Sequence, residues 1–243
     1  MTPLENAVTV LRCFSLDARE LTVTEAAQRL GLPKSNVSRL LRAMREVGLL
    51  DAGVEGRGYR PGVMLVGFGQ IAQSGHSLGA RANAAARRLS EVTGHSGFAS
   101  ARIGREMVGL VHHVGTNTLQ VGMTLGQRFP IDASATGRAL LAGWSRERVT
   151  ELLQGEVSRI RPHSPQTMDE LFERLARVRA QGWSESREEA GKGVGALAVA
   201  VREPRTGEEL SVCITFPVAT VDAAEHAQLV ALLLQARSEI EKP

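Results

Sequence analysis

Cysteine is almost absent from this 243-residue chain: Cys13 and Cys213 are its two, far apart and without CxxC spacing. That excludes a disulfide scaffold, argues against a zinc site and fits a reducing compartment. Long apolar runs are lacking too. None approaches the roughly 18 residues of a bilayer span, and the N-terminus has no basic start followed by an apolar core, so no signal peptide is expected. A soluble, cytoplasmic protein is the expectation. Nor does one sign of charge dominate. A formal net charge of +3 excludes a polybasic tail or a histone-like chain, while a sequence pI near 9.3 mildly favours an anionic partner. What is present is ordinary for a globular chain, 43% hydrophobic and 23% charged, with length for one or two domains and a real core.

Signatures of catalysis are equally scarce. Gly94-His95-Ser96-Gly97 is not the GxSxG elbow that presents a nucleophilic serine. Gly191-Lys192-Gly193-Val194-Gly195 satisfies neither GxGxxG nor GxxxxGK(S/T), so it reads as a turn rather than a phosphate cradle. His112 and His113, adjacent on a strand, would point to opposite faces and lack partners at ligand spacing, so no metal is expected. No base pairs with a nucleophile, and nothing calls for a cofactor.

The first sixty residues are the informative ones. Ala7, Val10, Leu11 and Phe14 follow i, i+3, i+4, i+7 spacing and predict an amphipathic helix over 4–15; the polar stretch 15–20 reads as a loop. Thr22 and Glu25 have capping-box spacing, in which each side chain satisfies a backbone N–H left free by the first helical turn, and a short helix Val23–Leu30 follows. Gly31 supplies a sharp turn, and Pro33 suits the start of the next helix, where its missing N–H is not needed. In that helix Val37, Leu40, Leu41 and Met44 share one face, while Lys34, Ser35, Asn36, Ser38, Arg39 and Arg42 lie on or beside the other. Amides, hydroxyls and guanidinium groups suit the major groove, where Arg pairs with guanine, Asn with adenine and hydroxyls with phosphates. The segment reads as a recognition helix, with a merely solvated polar face as the alternative. Residues 51–61 then punctuate two short strands with glycines, the pattern of a wing. Between residues 30 and 60 Lys34, Arg39, Arg42, Arg45, Arg57 and Arg60 stand against Glu46, Asp51 and Glu55, an excess equal to the net charge of the whole chain and placed where phosphate contacts are expected.

The string LTVTEAAQRLGLPKSNVSRLLRAMREVGLL, followed by GYRPG, closely resembles the winged helix-turn-helix of IclR-type transcriptional regulators. The resemblance implies that Ser35, Asn36, Ser38, Arg39 and Arg42 face DNA, with Lys34, Arg57 and Arg60 near its backbone. In the family LPKS is commonly followed by Thr, where this chain has Asn36.

Residues 61–93 have helical composition interrupted by Gly67, Gly69, Gly75 and Gly79. At about 1 kcal/mol per interior glycine relative to alanine, two helices are expected, over 63–74 and 78–93. The first offers Met64, Leu65, Phe68 and Ile71 to a partner; the second carries Ala82, Ala85, Ala86 and Leu89. By resemblance, such a linker helix joins the DNA-binding and effector domains and takes part in dimerisation. Ordinary packing within the chain is the alternative.

From Gly97 onward, 98–103, 107–114 and 119–125 read as consecutive strands, 134–142, 146–153 and 168–181 as helices, 194–201 and 210–216 as strands, and 222–240 as a final amphipathic helix. Together these make an α+β domain. The stretches GQRFPIDASATGRALLAG and GWSESREEAGKGVGALAVAV resemble the effector domain of the same family, which is GAF-like: an antiparallel sheet with helices, holding a small ligand on one face. Ser134-Ala135-Thr136-Gly137 opens a helix, where free N–H groups and the positive dipole end favour a carboxylate or phosphate. By resemblance the effector pocket takes in Ser134, Ala135, Thr136, Gly137, Ser186, Val194, Ala196, Cys213 and Thr215. The last two share a strand face by period-two alternation, and Cys213 stands where several members have a small hydroxyl residue, which softens the pocket. Phe98, Met107, Met123 and Leu125 are candidate apolar walls, with plain core packing as the alternative. Glu189 matches an acidic residue common in the family and is read as orienting its loop, and Ala200 stands where the family has proline.

The expected organisation is a winged helix-turn-helix over 1–61, a linker helix over 62–79 and a GAF-like effector-binding and oligomerisation domain over 80–243. The expected function is a ligand-responsive, sequence-specific transcriptional regulator, homodimeric or homotetrameric, that binds double-stranded DNA at an inverted-repeat operator. It would sense a small organic acid, a catabolic intermediate. An enzyme acting in the C-terminal pocket, or an architectural DNA binder without effector, are the alternatives.

Overall fold

The computed structural model describes residues 2–15, 18–54, 56, 58–73, 77–121, 125–189 and 191–242. Glu55, Arg57, Gly75 and Met123, all singled out above, and Ser74, the end of the first expected linker helix, lie outside the described residues. The chain divides into two compact units, Met1–Ser74 and Gly75–Pro243.

The first unit runs α1 (Pro3–Arg12), α2 (Val23–Leu30), α3 (Lys34–Glu46), β1 (Leu50–Ala52), β2 (Tyr59–Pro61) and α4 (Val63–Gln73). The capping box forms at the head of α2: Thr22 N–H donates to Glu25 Oε2 at 2.8 Å, and Glu25 N–H donates to Thr22 Oγ1 at 3.3 Å. Gly31 ends that helix at φ 65°, a left-handed conformation that glycine adopts without steric cost. The corner it makes lets Val10, Leu21, Ala26, Val37, Leu41, Met44 and Leu50 close into one core. β1 and β2 pair antiparallel, and Leu21 adds a bridge to Tyr59. The first helix is shorter than the sequence pattern predicts, ending at Arg12, although Phe14 still packs against the core.

The second unit holds one antiparallel sheet in the order β5-β4-β3-β8-β7-β6, built from β3 (Ser96–Ile103), β4 (Glu106–His113), β5 (Arg128–Pro130), β6 (Ser184–Arg187), β7 (Val194–Arg202) and β8 (Glu209–Pro217). Its helices are α5 (Leu78–Thr93), α6 (Ala135–Leu141), α7 (Arg146–Leu153), α8 (Met168–Gln181) and α9 (Ala223–Ile240). Strand periodicity sorts the faces. Leu197, Val199 and Val201 of β7 and Leu210, Val212, Ile214 and Phe216 of β8 bury against Ala82 and Leu89 of α5 and Leu229 and Leu233 of α9. The alternate positions are small, with Ala196, Ala198, Ala200 and Cys213 meeting Ala135 and Ala139 of α6. A sheet face of such short side chains admits a helix closely and leaves space beside it.

Two features depart from the pattern reading. The strand expected over 119–125 is not there among its described residues: 119–121 are loop and Leu125 lies in a turn. The free edge of β4 pairs instead with β5, Met107 opposite Phe129. The loop is tied back by its own polar groups, Gln120 Nε2 donating to Gly115 O at 2.8 Å and Asn117 N–H to Gly94 O at 3.0 Å. An alternating apolar pattern predicts a strand only where a backbone partner is free. Conversely, β6 had no apolar signature. Its Ser184 and Ser186 are buried by pairing with Ala198 and Ala196, so small hydroxyl residues fill the inward positions that leucine or valine usually hold.

Candidate functional site

α3 is split by exposure. Val37, Leu41 and Met44 are buried, whereas Lys34, Ser35, Asn36, Arg39 and Arg42 are exposed. Ser38 is half-buried, at the seam between the two faces. Arg39 Nη2 donates to Asn36 Oδ1 at 2.8 Å, an i, i+3 pair that orients amide and guanidinium on one surface. No side chain caps the helix at Pro33, so its first N–H groups stay open to an acceptor such as a phosphate oxygen. Arg60 is exposed on β2. The wing is anchored by a residue that pattern reading passed over as loop. Glu20 Oε1 accepts the Val54 N–H at 2.8 Å, and a Cβ on Gly53 would stand only 2.6 Å from Glu20 Oε2. Nothing local in the sequence joins these residues, which are 34 positions apart.

In the second unit a cavity of about 170 Å³ lies against the small-residue face of the sheet. Ser134, Ala135, Thr136, Ser186, Val194, Ala196, Cys213 and Thr215 line it; Gly137 does not. Strand register explains how they meet: Cys213 is opposite Phe98 and Ala198, and Ala196 is opposite both Thr215 and Ser186. Gly137 serves the approach of α6. Its N–H donates to Ser134 Oγ at 3.1 Å, and a Cβ there would stand 1.9 Å from Ile131 O. Of the expected apolar walls, Phe98 lines the cavity, Met107 is buried in the core beside α7 and α8, and Leu125 is 48% exposed and not part of the wall. Ser100, Val121, Gln127, Phe129 and Gly191 complete the lining without having been foreseen. Burial pushes the Cys213 thiol up to about 12, so it is a neutral, soft wall and not a nucleophile. Hydroxyls of Thr136, Ser186 and Thr215, with the Gln127 amide, give the cavity its polar side.

Beside it sits an ion-pair network. Arg138 of α6 is 1% exposed; its Nη1 donates to Glu189 Oε2 at 2.6 Å and its Nη2 to Glu185 O at 2.6 Å. The other Glu189 oxygen accepts from Arg174 Nη1 at 2.9 Å. Burial pulls the Arg138 pKa down, and the Glu189 carboxylate opposes that pull. The network ties α6 to β6, α8 and the turn carrying Gly191, so it joins the helix and turn that border the cavity. Glu189 thus holds its loop through Arg138, a residue that the apolar surroundings of GRALLAG had hidden.

Residues 3–52 match the family described as IclR helix-turn-helix domain, and residues 71–242 match the one described as Bacterial transcriptional regulator IclR C-terminal. The chain belongs to the IclR family. It is 28% identical over 234 residues to the HTH-type transcriptional regulator XynR of Escherichia coli, covering 96% of this chain and 93% of that protein. It is 29% identical over 244 residues to KdgR of Dickeya chrysanthemi, covering 97% and 79%. Among solved structures, an IclR-type regulator from Silicibacter superposes with a TM-score of 0.91 at 20% identity, covering 99% of this chain and 95% of that one. An IclR homologue from Microbacterium hydrocarbonoxydans in complex with 4-hydroxybenzoate superposes with a TM-score of 0.82 at 22% identity, covering 99% and 98%. As an IclR-family member the chain is a DNA-binding transcriptional regulator with an effector-binding C-terminal domain, and its relatives are regulators rather than enzymes. No helix among the described residues is long and apolar enough to cross a membrane.

Proposed function

We propose that this IclR-family regulator works in the cytoplasm as a homo-oligomer, reads an inverted-repeat operator through paired recognition helices, and senses a small organic acid in the C-terminal cavity. Residues 1–61 would read DNA, 62–79 link, and 80–243 sense and assemble. The observation that carries the reading is the division of α3, whose apolar side is sealed in the core while Lys34, Ser35, Asn36, Arg39 and Arg42 stay outside. Arg39 and Asn36 are the base readers, held in register by their mutual hydrogen bond. Lys34, Ser35, Arg42, Arg57 and Arg60 meet the backbone, and Ser38 contributes at the edge.

The effector reading rests on a cavity that is apolar but for a few hydroxyls and one amide, a lining that orients a compact ligand by hydrogen bonds. Support for a carboxylate comes from the 4-hydroxybenzoate held by a regulator of the same fold. Ser134, Ala135, Thr136, Ser186, Val194, Ala196, Cys213 and Thr215 are the proposed contacts, with Gly137 shaping the helix start.

Binding of the full-length chain to duplexes selected from a random pool tests the first half. Arg39→Ala should lose about 1–3 kcal/mol of discrimination between the selected site and base-changed variants; a folded variant that discriminates like the parent overturns the assignment. Calorimetry with a panel of small carboxylates tests the second. A true effector must also shift operator affinity, because equal binding to both states moves nothing. A panel without such a ligand leaves the organic-acid assignment refuted.

A further inference from the structure

A second cavity, of about 340 Å³, lies in the C-terminal unit between α8 and β6. Its wall holds four arginines, Arg138, Arg174, Arg177 and Arg187, against two carboxylates, Glu185 and Glu189. Those carboxylates are already engaged. Glu189 gives one oxygen to Arg138 and the other to Arg174, and Glu185 Oε1 accepts from Arg187 Nε at 2.6 Å and lies 3.2 Å from His226 Nε2. Arg177 makes no hydrogen bond or ion pair with any described residue. The wall therefore has cationic donors in excess of anionic acceptors, a surplus of two positive charges.

A second observation is independent of the charges. Ser184, on the same wall, is 0% exposed and its Oγ has no hydrogen-bond partner among the described residues. A buried hydroxyl left without a partner is unfavourable, and natural proteins seldom leave one without cause. Trp183 and Val178 supply an apolar border.

We propose that this cavity is a second ligand site of the regulator, one that takes the phosphate group of a small anion. A phosphate near neutral pH carries about −1.5 to −2 charges, which matches the surplus. Its tetrahedral oxygens accept from several directions, as donors on both α8 and β6 require, whereas a flat carboxylate is served by one arginine fork. Ser184 Oγ–H adds a neutral donor. The volume exceeds that of phosphate alone and leaves space for a carbon body beside Trp183. The site goes beyond the organic-acid reading above: the two cavities have no lining residue in common, and the Arg138–Glu189 pair that lines this one only borders the other.

Trp183 lines the site, and the chain's other tryptophan is Trp144, so fluorescence of a Trp144→Phe chain reports on it, with calorimetry of the unaltered full-length chain as an independent measure. Inorganic phosphate should bind saturably, and Arg177→Gln and Arg187→Gln should each weaken binding about tenfold, the effect of losing one charge-assisted contact. Ethyl phosphate binding as tightly or more tightly would place a phosphorylated metabolite in the site, whereas exclusion of ethyl phosphate would assign it to free phosphate. The proposal is overturned if no saturable response appears, if both arginine variants bind like the parent, or if succinate or sodium chloride at matched ionic strength gives the same response.

Discussion

At the scale of single residues, chemistry here is decided by burial more than by residue type. Arg138 is the clearest case: a guanidinium 1% exposed is tolerable because Glu189 and two backbone carbonyls, of Asp132 and Glu185, surround it. In the sequence it is one arginine among many, and no local pattern marks it as the buried one. Cys213 is the opposite case, since its strand position and the softer character it lends the pocket are legible from alternation and resemblance. What the fold adds is the titration. Burial pushes its pKa up to about 12, so the thiol stays neutral at pH 8. Iodoacetamide at pH 8 should therefore leave Cys213 unmodified in the native chain and label it once the chain is unfolded in urea, as mass spectrometry of the peptides would show. Rapid labelling of Cys213 without unfolding would contradict its enclosure.

At the scale of elements, the helix-turn-helix could be read almost entirely in advance. Capping box, turn glycine and 3.6-residue periodicity are local signals, and α2 has the predicted bounds Val23–Leu30. The wing is different, because its position depends on a long-range contact. Glu20 accepts the Val54 N–H and so holds the β1–β2 connection to the loop before α2. Glu20→Ala should lower affinity for all duplexes by a similar several-fold factor and flatten the salt dependence, because the wing's cations are expected on phosphates rather than bases. Anisotropy titrations at two salt concentrations against selected and unrelated duplexes would measure this. A change in base preference at unaltered overall affinity would remove Glu20 from that role. The strand expected over 119–125 makes the same point in reverse: among its described residues it does not form, and β5 occupies the free edge of β4.

At the scale of the whole molecule, an inverted-repeat operator requires two copies of α3 related by a two-fold axis. On α4, Val63, Val66, Phe68 and Ile71 are between 57% and 75% exposed. Of the side chains read as offered to a partner, Phe68 and Ile71 are thus exposed, whereas Met64 and Leu65 are half-buried; burying such apolar groups would be worth up to about 1.5–3 kcal/mol each, and the family resemblance implies a dimer contact on this helix. Phe68→Glu should shift the chain towards monomer in sedimentation measurements and weaken operator binding in proportion, while circular dichroism stays unchanged. A variant that remains dimeric would place the contact elsewhere.

By itself, the sequence determined the helices, the central strands and the family, but not the edge strands β5 and β6. Caps, turns and apolar periodicities lie within a few residues of one another and act through backbone sterics and hydrogen bonds that need no distant partner. Tertiary structure alone decided which edges were free to pair, which arginine was buried, and which loop carboxylate held the wing. Each of these depends on contacts between residues far apart in the chain, whose free energy exists only once the two surfaces have met.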